Sequence, residues 1–577
     1  MATGWSSSTS PRIRCSERAA IVDEPRWLPH AVTVPTDTPG FDSPHWLEYL
    51  EPLAQRMSAT GLARLASAIV AASLLAVALA IGIALRTAAL GSVPAGFNQD
   101  EACNGYDAYS LLHTGRDQHG NLLPVAIQAF NDYRMPLFDY SLIVPIGLFG
   151  LRPGAVRLGA ALWGIADLLG IAVLAALIVG LRGAALAVAL MALSPWHLPI
   201  SRFGHEAITA ASTTTLAAAA LFIAMRLRSS KWLLVSGLLF GMSLYSYSIT
   251  KAFVLPFLIW TAAIHWRELK PLRRGALAGL IIIVLCALPQ AYALWRHHAE
   301  MMARYHTVSV LDLPWPLLWR ALVHGYLFNF TPGFLFLRGS IDVSLHPPGY
   351  GQLLVAQAAM LFLAVCALSD ARFRRTAIFG FGWLAIAGLT AALILPEGHP
   401  LHSLLMVTPF TLLSALGMVF LFDLAGVSRL ARIMVAFAIV LMMVIQGARF
   451  VSFYFRKYPP LAAYNFQYGL GPTVERAARL GDGPMVITTY TNQPYIYVLF
   501  FTKYPPERFQ NEPVVQGKGL FVTVWKFDRY LFEDPQIAYR SLPHGVFVLT
   551  GWEVAPAAPV FTIRSLAGPV AYQVLVK

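Results

Sequence analysis

The sequence is short of charged residues and of cysteine, and each shortage narrows the classes of protein to consider. Only 13% of the 577 residues are charged and 57% are hydrophobic, whereas soluble domains have about 25% charged residues. The sequence therefore predicts a polytopic membrane protein. The four cysteines, Cys15, Cys103, Cys286 and Cys366, are far apart and two of them lie in apolar runs. That spacing indicates neither a disulfide framework nor a metal-binding knuckle.

Acidic residues are also scarce relative to basic ones, which gives a net charge of +13. The basic residues stand in short clusters between apolar runs, as in cytoplasmic loops under the positive-inside rule. The charge therefore indicates membrane orientation, and we predict no nucleic-acid partner. The clusters expected to face the cytoplasm are Arg226 to Lys231, Arg267 to Arg274, Arg372 to Arg375 and Arg429 to Arg432.

Residues 1–60 form a polar segment, which we predict to be a cytoplasmic, partly disordered tail without a signal peptide. Apolar runs of membrane-spanning length follow this segment. A span needs about 20 residues, and the basic clusters set its direction. We expect about eleven crossings, with the N-terminus inside and the C-terminus outside. The predicted spans are Leu62–Arg86, Val156–Leu181, Ala184–Leu193, Glu206–Met225, Lys231–Ile249, Ala252–Trp266, Gly275–Tyr292, Gln352–Ser369, Ala377–Leu395, Leu404–Phe422 and Met434–Phe450.

The predicted spans and the loops between them form a membrane module at residues 61–450. A C-terminal domain at residues 451–577 follows it. The first external loop covers residues 87–155, and its apolar run Pro136–Leu151 must be interfacial or re-entrant because both of its ends are external. The C-terminal domain is predicted to be mixed α/β, with a helix at Thr473–Leu480. The runs interpreted there as strands are Met485–Tyr490, Tyr495–Phe501, Leu520–Trp525 and Gly545–Thr550.

Adjacent carboxylates, Asp100 and Glu101, follow the first span and are the leading candidates for chemistry. A carboxylate there can act as a general base at the bilayer surface; alternatively, the pair only solvates a loop. Charged groups at the external mouth of a bundle are costly unless they contact water, a partner or a ligand. The external candidates are Asp100, Glu101, Asp107, Arg134, Asp139, Arg152, Arg157, Arg202, His205, Glu206, Lys251, Arg304, Arg338, Asp342, His346, Glu397, His399 and His402.

Cations beside these acids suit a phosphate leaving group. Lys251 lies at an external turn, where the positive-inside rule would not place it, although it could also snorkel to the interface. Arg134 could offer its guanidinium to a phosphate or to a lipid headgroup. Glu206, next to His205, could bind substrate or cap the helix that follows it.

Motifs in this order resemble the GT-C superfamily of membrane glycosyltransferases, and within it family 39, the protein O-mannosyltransferase and aminoarabinose transferase group. The matching segments are NQDEA (Asn98–Ala102), YRMPLFDY (Tyr133–Tyr140), LSPWHLPISRFGHEA (Leu193–Ala207), YSYSITKAF (Tyr245–Phe253) and NFTPGFLFLRGSIDVSLHPPG (Asn329–Gly349).

The resemblance implies a GT-C fold in a bacterial inner membrane, with a C-terminal α/β domain that faces the periplasm. It implies transfer of a sugar, with inversion, from a polyprenyl-phosphate donor to a lipid, glycan or protein acceptor. Asp100 would be the general base, Glu101 would shape the site, and the donor phosphate would contact Arg134, Lys251 and Arg202. The residues that would line the donor and acceptor cavity are Tyr106, Asp139, His205, Glu206, Arg338, Asp342, His346, His399 and His402.

The sequence also departs from the family pattern. Relatives often have His followed three residues later by Arg, where this chain has His399 and His402; a phosphate contact made by His402 in place of that Arg would depend on pH. Tyr133 stands where the aminoarabinose branch has an acidic residue that can help to bind a metal. A divalent metal is therefore not indicated, and we predict no required cofactor.

Other functions stay open at the level of sequence. A lipid-linked oligosaccharide ligase or polymerase is the nearest alternative. A secondary transporter is less favoured because it usually shows internal repeats and charges at the midplane, and an assembly protein acting through its C-terminal domain is the third. The sequence leaves open the sugar, the acceptor and whether the chain works as a homodimer, as some relatives do.

Overall fold

The structure is a computed structural model that describes residues 59–298, 302, 305–306, 308–517 and 523–577. The predicted cytoplasmic tail before residue 59 lies outside the described residues, as does the candidate Arg304. Residues Arg64–Lys577 form one compact unit, and every contact reported below lies within that unit.

Apolar helices form the first and larger part of this unit. Because the backbone polar groups of a spanning segment must be satisfied internally, each apolar run is helical. The helices are α1 (Ala59–Thr87), α2 (Gln99–Thr114), α3 (Leu137–Phe149), α4 (Pro153–Ile178), α5 (Leu181–Ala192), α6 (Ala207–Leu227), α7 (Ser230–Ser243), α8 (Thr250–Ile264), α9 (Arg273–Arg296), α10 (Trp315–Phe328), α11 (Ala356–Cys366), α12 (Ala371–Ala391), α13 (Val407–Asp423) and α14 (Arg429–Arg456).

Single helical turns connect several of these helices. They are the α-helical turns His197–Ile200, Trp266–Leu269 and Tyr458–Ala462, the 3-10 turns Lys270–Leu272, Val310–Asp312, Ala367–Ser369 and Leu404–Met406, and the π-helical turn Gly333–Leu337.

Every predicted span overlaps a helix, although the run Lys231–Ile249 is helical only as far as Ser243, and the helices differ in length. Among the described residues, six helical segments are long and apolar enough to cross a membrane. These segments are Gly61–Thr87, Pro153–Ile178, Ala207–Leu227, Trp266–Arg296, Leu404–Asp423 and Arg429–Arg456. Shorter apolar helices include α3, α5, α8 and α11. The chain is therefore a multi-pass membrane protein, and the count of about eleven crossings stays a prediction.

Basic clusters that are far apart in sequence meet at one end of the helical bundle. Arg375 makes an ion pair with Glu268 (2.5 Å), and Arg372 makes one with Asp423 (3.5 Å). Arg432 also donates a hydrogen bond to the carbonyl oxygen of Phe422. These contacts are consistent with the predicted grouping of the clusters on one face of the membrane.

The first loop contains helix α2, a short hairpin and helix α3. Strands β1 (Ile127–Ala129) and β2 (Asp132–Arg134) pair antiparallel, and the left-handed residues Phe130 and Asn131 make the turn between them. Helix α3 packs against α2 and α4. This arrangement brings Arg134, at the end of β2, back to the side of α2.

The C-terminal domain consists of a mixed seven-stranded sheet and four short helices that connect or precede its strands. Strand β3 lies parallel to β6 and β7, and the other neighbouring pairs are antiparallel. The sheet order is β4-β5-β6-β3-β7-β9-β8. The strands are β3 (Met485–Ile487), β4 (Val515–Gln516), β5 (Val524–Phe527), β6 (Tyr530–Phe532), β7 (Val546–Thr550), β8 (Phe561–Arg564) and β9 (Val570–Val576), and the helices are α15 (Leu470–Ala477), α16 (Pro494–Phe501), α17 (Pro506–Asn511) and α18 (Pro535–Ser541).

One predicted strand of this domain is wrong. Tyr495–Phe501 is rich in aromatic and β-branched residues, which favours a strand, yet it lies within α16. Pro494 at the first helical turn suits a helix start, and Tyr495 to Phe500 are buried on every side. Surrounding apolar contacts therefore override the local preference. Of the predicted strand Leu520–Trp525, only the part from Thr523 onward is described, and Val524 begins β5.

Helix α2 is held between the bundle and the C-terminal domain. Oη of Tyr106 donates to the carbonyl of Tyr504 (2.9 Å), and Oη of Tyr497 donates to the carbonyl of Phe97 (2.8 Å). The rings of Phe97 and Phe500 lie 4.8 Å apart. The predicted boundary between the membrane module and the C-terminal domain, at residue 450, falls inside α14, which continues to Arg456.

Candidate active site

The start of helix α2 is fixed by a capping box and a buried ion pair. The Asn98 side chain accepts from the backbone N–H of Asp100 (2.9 Å), and Glu101 accepts from the N–H of Asn98 (3.1 Å). Two nitrogens of Arg157 meet the two carboxylate oxygens of Glu101, each at 2.8 Å. Glu101 also accepts from the N–H of Gly204 (3.0 Å). The sequence N-Q-D-E therefore encodes a helix start of defined direction.

Two buried arginines hold the loop before this helix by its carbonyl oxygens. Arg157 donates to Leu90, Pro94 and Gly96. Arg202 donates to the carbonyls of Leu85, Arg86 and Val93, and so also satisfies the C-terminal end of α1. Because α1 and α2 are both tied to these arginines, the position of α2 relative to the bundle is fixed.

Gly96 is required at the closest approach of this loop to the C-terminal domain. Its φ is +92°, and a Cβ there would lie 2.3 Å from the carbonyl oxygen of Phe466. The same carbonyl accepts from the N–H of Phe97 (2.6 Å). A side chain at Gly96 would therefore displace the loop that positions Asp100.

Asp100 is the less buried member of the acidic pair. It is half-buried in the first turn of α2, and among the described residues its carboxylate has no hydrogen-bond or ion-pair partner. Burial raises the pKa of Asp100, an effect that the nearby His205 opposes and Glu206 reinforces. A carboxylate with free oxygens and a raised pKa is suited to accept a proton from a bound hydroxyl group.

Arg134 sits between two carboxylates beside Asp100. One terminal nitrogen of Arg134 lies 2.6 Å from Asp107 and 2.7 Å from Asp139. Burial raises the pKa of Asp107 to about 6, against the opposing charge of Arg134. Within the described part of the chain, Nε of Arg134 and Oδ2 of Asp139 have no partner. The guanidinium is thus oriented by the acids and keeps donors free for an anion.

Histidines from separate loops converge on the same region. Nδ1 of His205 lies 3.3 Å from Glu206 and accepts from the N–H of Ala207 (3.1 Å). The ring of Tyr247 lies 6.0 Å from that of His205 and 6.3 Å from that of His402, and the rings of His399 and His402 stack at 4.1 Å.

The charge of His399 follows from its surroundings. Burial lowers the pKa of His399 to about 4, with Asp342 raising it and His205 lowering it further. His399 is therefore neutral near pH 7 and can bind a ligand there only as an uncharged donor or acceptor.

Lys251 and Arg338 are exposed cations near these loops. Lys251 is the second residue of α8, just after the turn that carries Tyr247. Neither the Lys251 side chain nor the Arg338 side chain has a hydrogen-bond or ion-pair partner in the ranges that the structure describes. Both are therefore available to a ligand.

The structure places some predicted site residues together and others apart. Asp100, Arg134, Asp139, His205, Glu206, His399 and His402 belong to one set of contacting loops. Arg202 is buried and donates its hydrogen bonds to backbone carbonyls, and Tyr106 is buried against the C-terminal domain. Neither residue therefore faces the region around Asp100. The structure also gives Glu101 a positioning role, because Arg157 and two backbone N–H groups occupy its oxygens.

Two loop residues lie at the edge of the site. Oδ1 of Asp342 accepts from the N–H (2.8 Å) and Oγ (2.5 Å) of Ser344. Nε2 of His346 bonds to the carbonyl of Tyr350 (2.9 Å), and burial lowers the pKa of His346 to about 4. Both residues thus help to shape their own loop.

Sequence reasoning missed the importance of two residues. Arg157 was only one of many external charges, because nothing local shows that its partner is Glu101, 56 positions earlier. Tyr247 lies in the YSYSITKAF motif but is not among the predicted site residues, although its ring bridges two histidines. Among the described residues, no three His, Cys, Asp or Glu side chains are grouped so that they could hold a metal ion.

Comparisons with known proteins place this arrangement in context. Residues 134–293 match the model of the family described as dolichyl-phosphate-mannose-protein mannosyltransferase. The match includes Arg134, His205, Glu206 and Lys251 but begins after Asp100. No curated protein sequence gives a significant match to the chain.

Solved structures extend the likeness to most of the fold. The apo crystal structure of ArnT from Cupriavidus metallidurans aligns with a TM-score of 0.53 at 13% identity, covering 88% of this chain and 98% of that one. ArnT of the same organism bound to undecaprenyl phosphate aligns with a TM-score of 0.51 at 14% identity, covering 90% and 98%. The chain therefore has the GT-C fold, and the predicted resemblance to GT-C membrane glycosyltransferases is confirmed.

Proposed function

We propose that this protein is an inverting membrane glycosyltransferase that moves a sugar from a polyprenyl-phosphate donor to an acceptor hydroxyl. The observation that carries the proposal is Asp100, a half-buried carboxylate with free oxygens beside the cation Arg134. The family match and the shared fold support it. One of the similar ArnT structures holds undecaprenyl phosphate, which supports a lipid-phosphate donor here.

The reaction is a single displacement. Asp100 takes the proton of the acceptor hydroxyl while the acceptor oxygen attacks the anomeric carbon. The bond between that carbon and the phosphate oxygen breaks, and polyprenyl phosphate leaves. Arg134 and Lys251 contact the phosphate, where positive groups stabilise the charge that develops on the leaving group.

Orientation in the membrane is part of the same proposal. The basic clusters gathered at the opposite end of the bundle would face the cytoplasm, which leaves the Asp100 region and the C-terminal domain on the periplasmic side of a bacterial inner membrane. A donor that has been carried across the membrane on its lipid would then meet its acceptor outside the cell.

The test is turnover of polyprenyl-phosphate sugars by the purified full-length protein in lipid nanodiscs. We expect Asp100→Asn to bind donor normally and to release polyprenyl phosphate about 10² to 10⁴-fold more slowly, which is the usual contribution of a general base. Glu507→Gln, which removes an exposed carboxylate of α17, is the matched control and should leave turnover unchanged. Near-normal transfer by Asp100→Asn would overturn the assignment.

The pH profile gives a second check. Because burial raises the pKa of Asp100, kcat/KM should fall on acidification at a pH above about 4, the usual pKa of an aspartic acid. That acidic limb should be absent from the residual activity of Asp100→Asn. An identical limb in both proteins would assign it to another group.

A further inference from the structure

A polar cleft opens where helix α2 begins, on the side of the C-terminal domain. Its volume is about 500 Å³, and its walls include Gln99, Gln467, Asn492 and the loops that follow β3 and β7. Gln99 is the residue directly before Asp100. Because successive residues of a helix point about 100° apart, the cleft and the candidate base occupy adjacent faces of the same helical turn.

Exposed aromatic rings line this cleft. The rings of Tyr490 and Trp552 lie 4.4 Å apart, yet the two residues remain 63% and 60% exposed, and Tyr464 is 82% exposed. Exposed apolar surface on a folded domain often marks a binding site. Flat aromatic faces bordered by polar groups fit the apolar C–H faces of sugar rings.

Two hydrogen-bond acceptors in the wall have no partner. Oε1 of Gln467 and Oδ1 of Asn492 are buried and accept no hydrogen bond in the described ranges. The amide nitrogen of Gln467 is already engaged with Gln99 (3.3 Å) and with the Asn492 carbonyl (3.1 Å). An unsatisfied buried acceptor needs a donor, and the hydroxyl groups of a sugar are donors of the right kind.

Charge distinguishes the cleft from the Asp100 region. Asp342 is the one acidic residue that lines the cleft, and none of the lining residues is Lys, Arg or His. A phosphate or a carboxylated sugar would find no cation there. The lining therefore favours a neutral ligand rich in hydroxyl groups.

We propose that this cleft binds a neutral glycan, which presents its terminal hydroxyl to Asp100 as the acceptor. Tyr490 and Trp552 stack on the sugar rings, and Asn492 and Gln467 accept hydrogen bonds from sugar hydroxyls. This assignment rests on the proposed glycosyltransferase function, to which it adds the class of acceptor. The binding step itself needs only the cleft.

The experiment measures glycan binding by the full-length protein in nanodiscs with ligand-observed NMR. The probes are maltohexaose, mannohexaose and arabinohexaose, with hexagalacturonate as the anionic comparison. We expect at least one neutral probe to bind and hexagalacturonate not to bind. Trp552→Ala and Tyr490→Ala should each weaken binding about tenfold, and Asn492→Ala should weaken it by a smaller factor.

The controls separate this proposal from the reaction itself. Trp525→Ala removes another exposed tryptophan of the same domain, outside the cleft, and should leave glycan affinity unchanged. Asp100→Asn should also bind glycan normally, and all cleft variants should bind the polyprenyl-phosphate donor as wild type does. Donor binding without glycan binding would overturn the cleft assignment alone, whereas glycan binding without donor binding would overturn only its link to sugar transfer.

Other outcomes would also overturn the cleft assignment. Equal affinity of wild type, Trp552→Ala and Tyr490→Ala for the same neutral probe would place the glycan elsewhere. Preference for hexagalacturonate would contradict the charge argument. Capture of a protein partner by the cleft with no glycan bound would replace a sugar site by a protein interface.

Discussion

Asp100 and Glu101 are neighbours in sequence but belong to two different regions of the molecule. Glu101 lies in an enclosed region, where Arg157 occupies both of its oxygens and neither side chain is exposed. Asp100 lies in an open region with His205 and Glu206, where its carboxylate keeps its oxygens free. The same residue chemistry thus stabilises the fold in one region and is available for reaction in the other. The partners that the fold supplies decide between the two roles.

Removing the arginine of the enclosed region should have the largest effect. Arg157→Met leaves Glu101 buried without a counter-charge, which typically costs about 3 to 5 kcal/mol. We expect a corresponding loss in the free energy of unfolding, measured with denaturant in detergent micelles. Arg479→Met, which removes an exposed arginine paired with Glu475, should change it by less than about 1 kcal/mol. Equal effects of the two variants would remove the distinction between the regions.

Acidification should lower the free energy of unfolding through His399, which lies in the open region. Burial lowers the pKa of His399 to about 4 from a usual value of 6.5, so the unfolded chain binds a proton that the folded chain resists. The stability contributed by neutral His399 is present above pH 6.5 and is lost as the pH falls toward 4.

The measurement compares wild type with His399→Gln across this pH range. Each pKa unit corresponds to about 1.4 kcal/mol, so wild type should lose up to about 3 kcal/mol more than the variant. The free energy of unfolding at several pH values tests this, and parallel curves for the two proteins would contradict it.

Lys251 should affect the donor and not the fold. Lys251→Ala removes an exposed cation without a partner among the described residues, so we expect about tenfold weaker binding of polyprenyl phosphate, or about 1.4 kcal/mol. Lys251→Arg should restore most of the affinity. Titration of the lipid phosphate into nanodisc protein measures this, and unchanged affinity in Lys251→Ala would indicate that Lys251 only reaches toward lipid headgroups.

Asp100→Asn should change the free energy of unfolding least, and it tests the difference between the enclosed and open regions most directly. Asp100→Asn removes a carboxylate that makes no ion pair, so the free energy of unfolding should stay within about 0.5 kcal/mol of wild type. Glu101→Gln, one position later, should lower it by several times that amount because it disrupts a buried ion pair. A large loss of stability in Asp100→Asn would show that Asp100 belongs to the enclosed region after all.

The sequence predicted the helical bundle well because apolar runs and basic clusters are local signals. Each predicted span overlaps a helix, and the Asp-Glu pair was found at the start of α2. Roles that depend on distant partners were not predictable in this way. Arg202 appeared equivalent to Arg134 as a phosphate contact, yet its partners are carbonyl oxygens more than 100 positions earlier.

The C-terminal domain was harder to predict for a related reason. The run Tyr495–Phe501 has strand composition but is packed on all sides, so burial selected a helix. The cleft beside Gln99 has no motif in the sequence, because its walls come from residues near 99, 342, 465, 490, 552 and 570. Only the folded chain brings these amide and aromatic groups together.

The docking of α2 onto the C-terminal domain also has a consequence during synthesis. The hydrogen bonds from Tyr106 to Tyr504 and from Tyr497 to Phe97 join residues that are 398 and 400 positions apart. At about 5 to 20 residues per second, a ribosome needs roughly 20 to 80 seconds between making the two sides. Helix α2 is therefore synthesised long before the C-terminal residues that it contacts, so the Asp100 region is completed only after the C-terminal domain has been made.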